Sequence, residues 1–387
     1  MVADGHKVVF LTTSSYLQRQ LDPPTFDSGW TELNLDGIRL HVLKSGYRNE
    51  LGFLGRVINF ISYSWRSCWK GLRIGHFDII YATSTPLTVG IPAIFLSAIR
   101  RRPFYFEVRD LWPELPIAVG ALKNPILIWI ARFMEKTIYN RAEKIVALSP
   151  GMKDGVLKLG VPDEKVAVIP NSCDIDLFSV SPQEASKFAK EHLRFVAARK
   201  LIVYTGTIGP INDLSYLVDL AYEVEKMSDK ICFLVVGEGK EREAVIGYAA
   251  ERKILESSLY FWEGIPKSEV RKLMACADMA LSLFADSSEM WANSANKFFD
   301  ALASGTPISI NYCGWQKDIV ETTNCGLVFD RGAESENARN LVSTVLDDSI
   351  CLVQSAAATE LARGKFSRDH VYEDFRKAVL PELSSTP

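Results

Sequence analysis

Residues 291–310, WANSANKFFDALASGTPISI, carry the reading on which the fold turns. They run from a loop through a helix start, one short helix and a glycine turn into a buried strand. Phe298, Phe299, Leu302 and Ala303 recur at helical spacing, Asn293 or Ser294 is placed to cap the first turn, and Gly305 with Pro307 stops the helix. Such a helix start offers a phosphate the free N–H groups of its first turn and the positive end of the helix dipole, with Lys297 adding a full charge. The same residues also suit an ordinary capped helix packed on a sheet. Only the surrounding chain separates the two readings.

Around this stretch strand and helix alternate regularly. Strands are expected at 201–205, 231–236, 259–263 and 279–284, with helices at 214–227, 241–253 and 268–276 between them. Residues 326–329 supply a last strand, and helices fill the chain to residue 380. Two glycine turns follow the first two of these strands, Gly206-Thr207-Ile208-Gly209 and Gly237-Glu238-Gly239. Glycine there lets the backbone approach a diphosphate closely. Neither turn is a dinucleotide fingerprint, because Arg242 stands where the third glycine of G-x-G-x-x-G belongs and no acidic residue ends a second strand at the expected distance. A Walker loop, HExxH and a G-x-S-x-G elbow are also absent.

The first half shows the same rhythm. A buried strand is expected at 7–12, a hairpin at 33–43 around Asp36-Gly37, and strands at 77–82, 104–108, 144–148 and 166–169. The strand at 104–108 delivers Arg109-Asp110 to its carboxyl end, where ligands of open α/β sheets bind; an Arg–Asp pair bracing a loop is the competing reading. Residues 51–74 are helical in period, aromatic-rich, and carry Arg56, Arg66, Lys70 and Arg73. This segment suits a membrane surface, with Trp65 and Trp69 at headgroup level, and equally a core helix with a solvated basic edge. Residues 179–199 read as a polar, charged, helix-like connector with few apolar anchors. The domains are therefore expected at 1–180 and 181–365, with a helix in 366–387 packing back toward the first. Asp174 and Asp176 lie near this boundary and read as turn chemistry.

Composition narrows the function classes. With 387 residues, 48% of them hydrophobic, the chain supports two cores, and its net charge of −3 argues against a nucleic-acid binder. Seven cysteines without a CxxC pair read as reduced thiols and not as a structural metal site. No apolar run reaches the roughly 18 residues of a membrane span. Because a strand normally opens a parallel α/β domain, the stretch MVADGHKVVFLTTSS reads as the end of a first helix and a second strand. The natural start is expected about 20–40 residues upstream, and a chain beginning at Met1 is expected to be less stable and less active than the longer one.

Six motifs, EVRDLWPE, VIPNSCDIDLF, YTGTIG, VVGEGKE, FWEGIPKSEV and NKFFDALASGTPI, occur in an order and spacing that resemble the retaining GT-B glycosyltransferases of family four. The resemblance covers nearly the whole chain and is greatest to the bacterial subgroup transferring N-acetylated amino sugars such as N-acetylfucosamine in O-antigen and capsule assembly. It implies two Rossmann-like domains facing a cleft. Gly264 and Ile265 would lie against the uracil of a UDP-sugar, Asp300 would hold the ribose, and the diphosphate would lie over the helix start formed by Asn293, Ser294, Ala295, Asn296 and Lys297 and over the Gly206, Thr207 and Gly209 turn, with Gly237 nearby. Departures are specific. Thr207 and Asn212 stand where the family has Arg and Lys, so Lys297 is left as the cation for the β-phosphate. Ala292 replaces the first acidic residue, leaving the sugar hydroxyls to Glu289 or Asp286. Arg109 replaces the common catalytic His, with Asp110 beside it.

The resemblance further implies transfer by same-face attack, with the leaving diphosphate taking the acceptor proton and no metal or other cofactor needed. A polyprenyl-diphosphate-linked saccharide would be the acceptor. The enzyme would be cytoplasmic and peripherally attached to the inner membrane, with no nucleic-acid partner. A UDP-sugar 2-epimerase and a non-catalytic sugar-nucleotide binder are the alternatives, told apart by products formed with and without acceptor.

Overall fold

The computed structural model describes residues 1–17, 26, 29–46, 52–118 and 120–380. It divides into two compact units, one of residues 1–107 and 131–143, the other of 108–130 and 144–387. This division differs from the domain limits at 180 and 365 drawn from the sequence.

In the first unit, β1 (Val9–Thr13), β2 (Trp30–Leu35) and β3 (Ile38–Leu43) form a three-stranded sheet in the order β1-β3-β2. β2 and β3 are the expected antiparallel hairpin, closed by Asp36 and Gly37 at positive φ, whereas β1 runs parallel to β3 at the sheet edge. β4 (Ile80–Thr83) pairs in parallel with β5 (Phe104–Val108). The helix Phe53–Arg73 packs on the helix Gly90–Arg100, so closely that a Cβ on Gly71 would come within 2.4 Å of Leu96. Tyr63 of the former helix donates a 2.8 Å hydrogen bond to the carbonyl of Leu11 in β1. Leu51, expected as the first residue of that helix, lies outside the described residues.

In the second unit, β6 (Lys144–Ala147) and β7 (Val166–Val168) pair in parallel. A six-stranded sheet follows, made of β8 (Lys200–Thr205), β9 (Ile231–Val236), β10 (Leu259–Trp262), β11 (Met279–Ser282), β12 (Ile308–Ile310) and β13 (Gly326–Val328). Its order is β10-β9-β8-β11-β12-β13, all parallel. Counted from β8, this is 3-2-1-4-5-6, the doubly wound order in which the chain reverses direction between strands 1 and 4. β9 explains why its sequence is apolar throughout: Cys232, Leu234 and Val236 enter the core on one face, Ile231, Phe233 and Val235 that on the other, and all six are buried.

The stretch at 179–199 is helical, as its helix-like reading expects, but it is anchored more firmly than a connector with few apolar anchors. Pro182–His192 is a helix with a full capping box between Ser181 and Glu184, and Phe188, Leu193 and Val196 are buried in the same core as Phe298 and Phe299. Its polarity belongs to the solvent face alone.

Candidate functional site

The strand order reverses between β8 and β11, and open α/β sheets bind ligands beyond the carboxyl ends of strands at such a reversal. Three segments meet there: the turn after β8, the residues after β11, and the first turn of the helix Asn296–Ser304.

The helix start departs from the sequence reading in a way that matters. The N-cap is Ala295, with extended backbone at φ −66° and ψ 125°, and no side chain caps it. Asn293 and Ser294, the two expected caps, are engaged elsewhere. Asn293 accepts from the N–H of Ala295 at 3.1 Å, donates to the carbonyl of Met290 at 2.7 Å, and its own carbonyl accepts from the Trp315 indole at 2.8 Å. Ser294 lies against Asn171, whose amide donates to its carbonyl at 2.6 Å. The helix therefore presents its first-turn N–H groups, including those of Asn296 and Lys297, without a side-chain cap. Gly305 ends it in the left-handed conformation, as expected.

Lys297 points back across this start to β8. Its Nζ donates to the Tyr204 hydroxyl at 2.8 Å and lies 4.3 Å from the Tyr204 ring centroid and 5.4 Å from that of Phe284. The side chain is half-buried, and burial pulls its pKa down to about 7. Tyr204 was legible only as an apolar strand residue. Its phenol is buried, which pushes its own pKa well up, and it donates to the Thr207 carbonyl at 2.8 Å.

The glycine turns divide by role. Gly206 has φ +149°, and a Cβ there would come within 3.1 Å of Lys297 Cε. Gly237 and Gly239 are required for a different contact from the ligand approach expected. A Cβ on Gly237 would fall 1.8 Å from the Gly206 carbonyl oxygen and one on Gly239 2.0 Å from that of Ile208. They let the turn after β9 lie on the turn after β8, joined by the Ile208 N–H to the Glu238 carbonyl at 2.9 Å. Gly209 has only Thr207 Cγ2 near it, at 3.8 Å, and is open to a close approach. Asn212 is buried and donates to the Leu283 carbonyl at 3.2 Å, which fastens the turn to β11 instead of offering a charge.

Asp300, one helical turn beyond Lys297, forms an ion pair with Lys267 at 3.0 Å, a partner the sequence reading missed because it lies 33 residues away in the helix Lys267–Met274. Burial raises the Asp300 pKa while Lys267 pulls it down. Lys267 also lies 5.5 Å from the Phe178 ring centroid. Gly264 donates to Glu238 at 3.4 Å, and Ile265 packs partly buried against the core.

Beyond β11, Glu289 is exposed in a short turn, its acidity increased first by the Ser287 hydroxyl; Asp286 is exposed nearby. The helix Glu114–Ala118, which follows Arg109 and Asp110, packs on that turn, Ser288–Met290. Arg109 is exposed and Asp110 half-buried just past β5. Ala292 is set in a narrow contact, its carbonyl accepting from Ser149 at 2.5 Å and its Cβ lying 3.0 Å from where a Gly151 Cβ would stand. Asp174, read as turn chemistry, caps the helix Ile175–Phe178 and pairs with Arg368.

Residues 1–172 match the model of a glycosyl transferase 4-like domain, and residues 199–348 that of glycosyl transferases group 1. The alpha-galactosylglucosyldiacylglycerol synthase of Streptococcus pneumoniae is 26% identical over 166 residues, which span 42% of this chain and 43% of that relative. Among solved structures, HepE of Anabaena in complex with UDP and glucose has TM-score 0.69 at 18% identity, over 90% of this chain and 87% of that one. WaaG, a glycosyltransferase involved in lipopolysaccharide biosynthesis, has TM-score 0.66 at 14% identity, over 98% and 92%. Sucrose-phosphate synthase from Thermosynechococcus elongatus has TM-score 0.68 at 12% identity, over 98% and 100%.

Proposed function

The chain is a glycosyltransferase of the GT-B fold, built from two Rossmann-like modules, and from that premise we propose that it moves a sugar from a UDP-sugar to a lipid-linked saccharide with retention of anomeric configuration. The observation that carries this reading is the uncapped start of the helix Asn296–Ser304 at the reversal of strand order, with Lys297 and the Gly206 turn converging on it. A diphosphate satisfies those amides and the lysine together, in the way helix starts hold anions.

In this reading uracil lies by Gly264 and Ile265, and Asp300 receives the ribose hydroxyls beside Lys267. Glu289 or Asp286 meets the donor sugar, since Ala292 offers no hydroxyl partner. Same-face attack breaks the bond from the anomeric carbon to the β-phosphate oxygen, and the departing diphosphate accepts the acceptor proton. The helix amides and Lys297 stabilise the charge that grows on that diphosphate. Arg109 and Asp110 serve the acceptor side. A metal is not required, because a cation and a helix dipole already face the leaving group.

HepE with UDP-glucose and the glycolipid synthase support a UDP-sugar donor and a lipid acceptor as classes. An N-acetylated amino sugar is the donor we favour, from the six-motif resemblance. The helix Phe53–Arg73 supports a reading in which the enzyme attaches to the cytoplasmic face of the inner membrane. Its outer face exposes Ile58, Ile61, Trp65 and Trp69 at 65%, 54%, 63% and 46%, with Arg66 and Arg73 among them. No single described helix is long and apolar enough to cross a membrane.

The test is mass spectrometry of products from a panel of UDP-sugars, with and without polyprenyl-diphosphate-linked saccharide. Glycosylated lipid and free UDP are expected only when both substrates are present. An epimerised sugar without acceptor would establish the isomerase alternative, and bound but unchanged donor the non-catalytic binder.

A further inference from the structure

Three successive carbonyls just before the helix Asn296–Ser304 each accept from a side chain that reaches them from elsewhere in the second unit. That of Ala292 accepts from the Ser149 hydroxyl at 2.5 Å, that of Asn293 from the Trp315 indole at 2.8 Å, and that of Ser294 from the Asn171 amide at 2.6 Å. The Asn171 backbone N–H also donates to Ser294 Oγ at 3.4 Å. In a trans peptide the carbonyl and the N–H that follows it point in opposite directions, so a donor that fixes one fixes the other. With its carbonyl turned to Asn171, Ser294 sends the next N–H, that of Ala295, to Asn293 Oδ1 at 3.1 Å. The extended Ala295 then opens the helix, and the amides of Asn296 and Lys297 take their direction from it.

The donors are themselves held in place. Ser149 is fully buried and has one proton to give, which goes to Ala292, while its oxygen accepts from the Met152 N–H at 3.0 Å as the cap of the helix Pro150–Leu157. A Cβ on Gly151 would stand 3.0 Å from that of Ala292, so this loop lies directly on the run. Two residues past Asn171, Cys173 gives its N–H to the Phe366 carbonyl at 2.7 Å and its thiol to the Phe299 carbonyl at 3.3 Å. We propose that Ser149 and Asn171, from the loops after β6 and β7, are positioning residues for the nucleotide diphosphate. They hold residues 292–294 so that the amides of Asn296 and Lys297 stand ready for phosphate oxygens before the ligand arrives. This role deepens the donor reading above and rests on it for the identity of the ligand. Trp315 shares the task, but it also packs near Phe299 and Phe366, so replacing it would disturb the core as well.

The experiment pairs amide hydrogen exchange in the empty protein with binding of UDP and of uridine, which has the base and the ribose but no phosphate. Asn171→Ala removes the donor to Ser294. Exchange in the peptide covering residues 292–298 should quicken and the dissociation constant for UDP should rise, each about tenfold, the scale of one hydrogen bond. Exchange in β8 and β9 and the affinity for uridine should stay at their wild-type values. Ser149→Asp keeps an oxygen for the Met152 N–H but has no proton for Ala292, so it should behave as Asn171→Ala does. Ser149→Thr keeps both bonds and should behave as the wild type. A capping role alone would make the aspartate variant bind UDP normally; should that variant fail to fold, the half-buried Asn171 still carries the test. Wild-type exchange and UDP affinity in Asn171→Ala overturn this proposal and leave the donor reading intact. Equal weakening of UDP and uridine also overturns it, since the loops would then shape the whole pocket and not the phosphate end. A wild-type protein that binds neither UDP nor UDP-glucose, with quicker exchange in the variants, overturns the donor reading and the ligand half of this one.

Discussion

In the proposed donor reading, Lys297 is a residue whose energetic sign differs between the empty and the occupied protein. Because folding lowers its affinity for a proton, the unfolded chain binds more protons between pH 7 and the ordinary lysine value, and its contribution to stability rises with pH across that window. At pH 7 and below, the folded protein bears the full penalty of a buried ammonium. Lys297→Met should therefore raise the melting temperature of the unliganded protein at pH 6–7, by an amount that shrinks toward pH 10. The same change should weaken UDP-sugar binding by about 1.5–3 kcal/mol at pH 6, the range for hydrogen bonds to charged groups. Differential scanning calorimetry and titration on the one variant test both halves. Asp300→Ala has a different signature. Its partner in the donor reading is ribose, remote from the reacting carbon, so the affinity for UDP should fall while kcat holds. A collapse of kcat with UDP affinity retained would refute that role.

At the scale of elements, the glycine turns give a paired test. Gly237→Ala drives a methyl into the Gly206 carbonyl, and since both partners are backbone, the two turns must separate. Overpacking of this kind costs about 1–3 kcal/mol, so thermal stability and UDP affinity should fall together. Gly209→Ala meets only a methyl group at 3.8 Å and should leave the melting temperature unchanged while weakening UDP-sugar binding, because only the ligand needs that space. Elements of this kind were legible to different depths. The strands, the helix after Asn296 and its glycine stop could be read because apolar period and turn residues are local signals. The cap could not. Asn293 and Ser294 both have the chemistry for it, but the Asn293 amide is taken up by the Ala295 N–H and the Met290 carbonyl, and Ser294 is held by Asn171, 123 residues away. Tyr204 and Lys267 escaped for the same reason: an aromatic in a strand and a lysine at a helix start look ordinary until the fold brings Lys297 and Asp300 to them. The helix at Pro182–His192 was underrated because its apolar face is narrow, with Phe188 its one fully buried side chain.

For the molecule as a whole, the outer face of the helix Phe53–Arg73 marks where lipid should matter. Replacing Trp65 and Trp69 together by serine should reduce co-sedimentation with vesicles of anionic lipid and leave the melting temperature unchanged, since both rings already face outward. Equal vesicle binding by the variant would show that this face does not meet lipid.

In the proposed membrane reading, that exposed face also sets what concentration means for this catalyst. An enzyme resting on a lipid film meets its acceptor by diffusion in two dimensions, so its rate is governed by how crowded the acceptor is within the film and not by how much is in the tube. In mixed micelles, adding neutral detergent at constant enzyme, donor and acceptor should slow turnover in proportion to the falling surface fraction of acceptor. The Trp65 and Trp69 double variant, working from bulk solution, should lose much of that dependence on dilution.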